Sequence, residues 1–397
     1  MKSLFFGSNK TAPSTSVTNY MYLSNSNLST PSSTEAIRQL QMPTSGTIRN
    51  LYFSVDTAPG VGKSWTVVLR KNGANTGLTV TISDANTNAT DSTHSMSFVA
   101  GDLLSLAITP SGTPTAFASH HWDMECNASG QPIIGGNGNT PSTSSANFSV
   151  LQGGNPVTWT VTENKMKIIC PTAGTLSNLY ARLSGSPNTG TSYTLTVRVN
   201  GDTVLATTIS DTNTTNSNTT DTVSVAAGDA LSMKVTPTST PTARSVWWGL
   251  LFTPTNDGES IIGFGNPSLP STSATNYEQG FFAGVNGANW DATEANVLGY
   301  IGPQTLKKAY FLLNTAPGGA TSRAFTIRKN TSDTLLTATI SGVSTTGNST
   351  NDVTFARDDS FAIKSVPTST PAAATDGLHG GFLVYNAPST THRVFIT

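Results

Sequence analysis

The chain has 397 residues, 11% of them charged, and a formal net charge of −1. That length suits about three domains. The charge excludes the basic excess that holds a nucleic-acid backbone and the acidic block of a solvating tail. Polarity comes from Thr, Ser, Asn and Gly, which suit solvent-facing strand positions and turns and suit helices poorly, so almost no helix is expected.

From the N-terminus onward, short runs alternate between apolar and polar residues and are cut by turn signals, the pattern of half-buried antiparallel strands. The first 129 residues predict strands near 3–7, 19–24, 36–42, 47–55, 64–71, 77–83, 94–99, 102–109 and 117–126. The apolar run Leu4, Phe5 and Phe6 is too short for the ~7–15-residue core of a signal peptide, so none is expected. SLFFGSN also has counterparts in PIIGGNGN (132–139) and SIIGFGNP (260–267), as a domain strand would. No segment approaches the ~18 apolar residues of a membrane span.

PSTSVTNY at 13–20 returns as PSTSSANF at 141–148 and PSTSATNY at 270–277. Leu51-Tyr52 recurs as Leu179-Tyr180 and Ala309-Tyr310, Gly101-Asp102 as Gly228-Asp229 and Asp358-Asp359, and SGTPTA as STPTA and STPAA. The spacing of 128 and 129 residues far exceeds a solenoid repeat, so each copy is a whole domain. The boundaries fall at 1–129, 130–257 and 258–397, the last carrying an extra C-terminal strand.

Within each copy, Trp65, Val67 and Leu69 alternate with Thr66, Val68 and Arg70, as Tyr193, Leu195 and Val197 do with their neighbours. In the third copy Ala324, Thr326 and Arg328 flank Phe325 and Ile327, which leaves the register open. Asn72-Gly73 and Asn200-Gly201 tolerate the positive φ of a tight hairpin. Asn330-Thr331 predicts a looser loop. About nine short strands per copy without crossover helices indicate an all-β chain of three tandem antiparallel β-sandwich domains, better matched by a jelly roll than by an immunoglobulin fold, since no Cys…Trp…Cys framework exists.

The turn-strands FVAGDLLSL (98–106) and VAAGDALSM (225–233) are similar to a late-strand feature of TNF- and C1q-like jelly rolls. The wider stretch APGVGKSWTVVLRKNG…LTVTIS…FVAGDLLSLAITPSGTPTA resembles a module of structural proteins in tailed bacteriophages and related uncultured viruses, with weaker copies over most of the chain. The resemblance implies a non-enzymatic virion component. The expected role is capsid decoration, reinforcing a phage head by binding its major capsid protein or other virion proteins. The alternative is a tail or head fibre that adheres to host glycans. Either implies assembly in the host cytoplasm and residence in the virion, on the capsid surface or tail, with no membrane or nucleic-acid partner.

The junctions NASGQP (127–132) and TPTNDGES (253–260) are short enough to set successive domains side by side. TNF- and C1q-like domains characteristically form trimers, so a covalent pseudo-trimer is the expected arrangement, with beads on a string as the alternative. Val394, Phe395 and Ile396 sit where a fourth copy would begin. Either this segment or Leu4, Phe5 and Phe6 is expected to remain available for a neighbouring protein.

No catalytic constellation or cofactor is expected. GVGKS (60–64) lacks the first glycine of a phosphate loop, with Thr57 in its place, and a strand follows where a helix is needed. His121, Asp123 and Glu125 share one strand face and are the densest candidate metal ligands. The other copies carry no carboxylates there, so a solvated or interface face is preferred and no metal is expected. Glu35, Glu163 and Glu294 recur at matching positions, as a contact about a pseudo-axis would. Trp159 and Trp290, four residues before the last two acids, are the candidates for stacking on a glycan. Trp247-Trp248 is expected to split between a core and a domain boundary. Cys126 and Cys170 occupy non-equivalent places, which leaves incidental thiols or one cross-domain bridge open.

Overall fold

Alternation of buried and exposed side chains marks strands such as Ala74–Asp84 and Asp202–Asp211, whereas Val246–Pro254, Glu259–Asn266 and Leu378–Tyr385 are buried on both faces over most of their length. The computed structural model describes residues 2–24, 30–154, 159–281 and 290–385. In copy one the strands are β1 (Lys2–Asn9), β2 (Asn19–Met21), β3 (Leu40–Gln41), β4 (Gly46–Val55), β5 (Gly60–Lys71), β6 (Ala74–Asp84), β7 (Asn88–Phe98), β8 (Leu103–Ser111) and β9 (His120–Ala128). They form two antiparallel sheets, one ordered β1-β9-β4-β7 and the other β2-β8-β5-β6, with β3 beside β8. One apolar core joins them: Phe5, Phe53 and Trp122 from the first sheet meet Met21, Trp65 and Leu106 from the second.

Copy two repeats both orders. Gln131–Asn137, Val246–Pro254, Gly174–Leu183 and Thr215–Val225 form one sheet, and Asn147–Ser149, Ala230–Thr238, Asn188–Val199 and Asp202–Asp211 the other. Copy three does so with Glu259–Asn266, Leu378–Tyr385, Gln304–Leu313 and Thr346–Ser349 against Asn276–Glu278, Ser360–Thr368, Ser322–Lys329 and Ser332–Ser341. The chain is thus all-β and sandwich-like. Among the described residues helix is confined to short 3-10 turns at Glu35–Ile37, Glu163–Met166 and Glu294–Asn296, and no helix is long and apolar enough to cross a membrane.

Two expected strands are shorter than the alternation predicts, 19–24 being reduced to Asn19–Met21 and 36–42 to Leu40–Gln41. The segment 36–42 keeps only Leu40–Gln41 as strand, because Glu35 opens a 3-10 turn and is held by the Arg70 guanidinium at 2.8 and 3.0 Å. Equivalent pairs join Glu163 to Arg198 and Glu294 to Arg328. The repeated acids therefore make two-pronged ion pairs inside their own copies, and the expected contact about a pseudo-axis does not form. A fork-to-fork pair fixes geometry as well as charge, and here it fastens a turn to the sheet.

The third hairpin corrects a second expectation. Asn330 and Thr331 both adopt positive φ, at 48° and 61°, so this turn is as tight as Asn72-Gly73. A β-branched residue in that region carries strain that glycine does not. The asparagine explains why the turn survives: its Nδ2 donates to Asp359, as Asn72 donates to Asp102 and Asn200 to Asp229. The aspartate's other oxygen accepts from the backbone amide three residues earlier, at Val99, Ala226 and Ala356. The Asn-Gly and Gly-Asp motifs are thus two halves of one bracket.

The PSTS motif is a local turn. Ser14 Oγ accepts from the amides of Ser16 and Val17, and Asn19 Oδ1 accepts from Ser14, with the same arrangement at Ser142 and Asn147.

In copy three Phe325 and Ile327 point inward, and the position of Trp65 and Tyr193 is taken by the fully buried Arg323. Its guanidinium donates to the carbonyls of Ser271 and Ala372. Burial lowers its pKa.

Candidate functional site

The three copies touch in a cycle, and each seam is built from the same elements. The second short strand of each copy packs on the outer face of the next copy's first and last strands: β3 on Gln131–Asn137 and Val246–Pro254, Ile168–Ile169 on Glu259–Asn266 and Leu378–Tyr385, and Gly299–Tyr300 on β1. First-strand side chains on that face complete the preceding copy's core. Ile134 joins the core of copy one, Ile261 that of copy two, and Leu4 and Phe6 that of copy three.

Two seams are tight and largely apolar. Between copies one and two, Gly249 leaves room for the Gln41 carbonyl, which any side chain there would strike. Trp247 enters the core of copy one while Trp248 stays in its own, so the tryptophan pair divides as expected. Arg182 stacks its guanidinium 4.1 Å from the Trp247 ring and donates to the carbonyls of Ala36 and Gln39 at 2.9 and 2.8 Å. Between copies two and three, Gly381 admits the Ile169 carbonyl and Gly263 admits the Ile168 side chain. Gln131 and Gln152 bridge this seam through the backbone of Ile261 and Gly263.

The third seam joins copy three to copy one and is polar. Where the other copies have Gly249 and Gly381, copy one has Asp123, buried and held by Arg357 at 2.8 and 3.1 Å. Burial pushes the Asp123 carboxyl above its ordinary range, against the opposing pull of Arg357. Arg357 also lies over the Tyr52 ring at 4.4 Å. Asp358, in the left-handed region at φ 68°, stands where Gly101 and Gly228 stand in the other copies. It meets His121 Nε2 at 2.7 Å and accepts the Tyr52 hydroxyl at 2.8 Å. The hydrogen bond from His121 and that from Tyr52 hold the Asp358 carboxyl below its usual range, against burial. His121 in turn stacks on Tyr300, with centroids 4.1 Å apart. Lys10 donates to the carbonyls of Ala295 and Asn296, and Gln279 donates to Ser8.

The sequence-derived candidates are distributed as follows. His121, Asp123 and Glu125 share the outer face of β9, but each is committed to a different partner: Asp358, Arg357, and Arg49 with Asn50. No group of three or more His, Cys, Asp or Glu among the described residues is placed to hold a metal. Leu4, Phe5 and Phe6 are fully buried within the chain. Val394, Phe395 and Ile396 lie outside the described residues. Trp159 and Trp290 are half-buried, each donating its indole N–H to a backbone carbonyl, of Asn139 and Ser268. Cys126 and Cys170 are free, buried thiols in separate cores.

Sequence reasoning missed Arg357 and Asp358 as seam residues. The departure from Ala-Gly to Arg-Asp at one copy of a repeated turn was the available signal, and Gly-to-Asp at position 123 was its complement.

No family model matches the chain, and no curated protein matches it in sequence.

Proposed function

We propose that the protein is a non-enzymatic virion structural component that decorates a phage head. In this proposal each copy is a jelly-roll domain and the three form a covalent pseudo-trimer. The strand order β1-β9-β4-β7 facing β2-β8-β5-β6 supports the jelly roll, because it is the order that two nested Greek keys produce. The observation that carries the functional proposal is the cycle of like seams. Three copies that bury their first strands in one another make a rigid three-cornered block, a shape suited to three-fold or six-fold positions on a shell. Its action there is burial of surface against major capsid subunits, without catalysis.

The test is to image virions with an antibody fragment raised against the chain. Label on the shell lattice is the expected result. Label on the tail would replace decoration with adhesion, and particles without the chain would overturn both.

A further inference from the structure

At the seam between copies three and one lies a cleft of about 390 Å³, walled by Lys10, Ser54, Asp56, His121, Tyr300 and Asp358. The repeat shows what this place holds elsewhere. In register, Ser54 pairs with His121 as Arg182 pairs with Trp247 and Leu312 with His379. At the first seam this position is filled by the Arg182 guanidinium, lying on an aromatic ring and against the turn that begins at Glu35. At the second, Leu312 lines an opening of about 320 Å³ with Ile169 and Gly228, beside a His379 that contacts the Lys167 carbonyl. Of the three places, this one alone has a small residue, Ser54, at the paired position.

The same seam differs in charge. Asp56 and Asp358 line the cleft, whereas their counterparts are Ser184 and Asn314, and Gly101 and Gly228. Asp56 and Ser184 are matched by equivalent backbone bonds to Ser119 and Ser245. Of the two seats without an internal arginine, this one is provided with two carboxylates and the other, at Leu312, with none. Lys10 covers the Ala295 carbonyl, so an entering cation would engage the acids and the rings in preference to that turn.

We propose that this cleft is a binding seat for a guanidinium group, that of an arginine side chain presented by a partner protein. A planar cation fits the ring wall and the carboxylate geometry better than an ammonium does. The seat does not depend on the decoration role, since it rests on the repeat alone.

The test uses the full chain and N-acetyl-arginine amide as probe, followed by NMR or calorimetry at low salt. The expected result is saturable binding with a dissociation constant on the order of 1 mM, absent for the neutral isostere N-acetyl-citrulline amide. Ser54→Arg, which copies the first seam, should abolish binding and raise the melting temperature. Should that variant fail to fold, Asp56→Asn, at an exposed position, should weaken binding about threefold. Equal binding of the citrulline probe, unchanged binding in both variants, no binding at all, or tighter binding of free arginine than of the capped form would each overturn the proposal.

Discussion

The seam between copies two and three and the seam between copies three and one use the same strands yet cohere by different physics. The first is backbone against glycine, with Gly381 and Gly263 admitting a carbonyl and an isoleucine. The second places Asp123 at the equivalent glycine position, answers it with Arg357, and joins Asp358 to His121. The two apolar seams are also bridged by short stretches of chain, whereas copies three and one meet without a direct link. An ion pair with fixed partners specifies a mating geometry that apolar contact alone leaves less defined. A like role is attested for buried polar residues in coiled coils. The lesson is that the joint without a tether carries the ion pairs, while the tethered joints are bridged by neutral or backbone hydrogen bonds.

The largest expected effect clears the background for that comparison. His120 lies fully buried in copy one among Phe53, Phe117 and Trp122, with neither ring nitrogen hydrogen-bonded. Burial lowers its pKa to about 3. With the folded value below the ordinary 6.5, its contribution is whole above 6.5 and is lost as pH falls toward 3. His120→Val, which copies Val246, should therefore remove an acid destabilisation of roughly 3 kcal/mol at pH 4. Chemical denaturation of both proteins at pH 4 and 7 checks this; parallel curves would refute it.

In that background the seam can be examined directly. Arg357→Ala leaves Asp123 buried without its cation and should cost about 2–3 kcal/mol, less than a fully buried pair because the Arg357 side chain is 36% exposed. Asp123→Gly combined with Arg357→Ala, the pattern of the other copies, should recover most of the loss. A double-mutant cycle without coupling would show the pair to be ornamental.

On the apolar side, Gly249→Ala should cost about 2 kcal/mol, because its methyl group meets the Gln41 carbonyl. Thermal unfolding of the variant reads that cost, and an unchanged midpoint would mean the seam is looser than described.

The smallest effect is expected at Asp358→Gly. Relief of the positive φ, worth about 1 kcal/mol, opposes loss of the bonds to His121 and Tyr52. The pH profile is more telling than the midpoint. Asp358's carboxyl sits below its usual 3.8, so its share of stability is present above 3.8 and is lost as pH falls through the depressed value. The glycine variant should lack that acid limb, which titration by circular dichroism between pH 5 and 2 would detect.

Much of the fold was legible because strands and hairpins are local. Trp65, Val67 and Leu69 alternate visibly, and Asn72-Gly73 names its own turn. The seams were legible only in part. Trp247-Trp248 is too apolar for one core, and its division follows from that. Leu4 and Phe6 looked available to a partner because their cover comes from copy three, hundreds of residues away, and no local pattern records it. Glu35 misled for the opposite reason: its partner Arg70 sits in the same copy, and one acid per repeat reads equally well as an intracopy clamp or an axial contact.

The central claim is that copy three closes on copy one. Small-angle X-ray scattering of the full chain tests it most directly. A closed block of 397 residues should have a radius of gyration of about 21 Å. Three copies strung in a line, each scaled the same way, would give roughly 30 Å and contradict the closure.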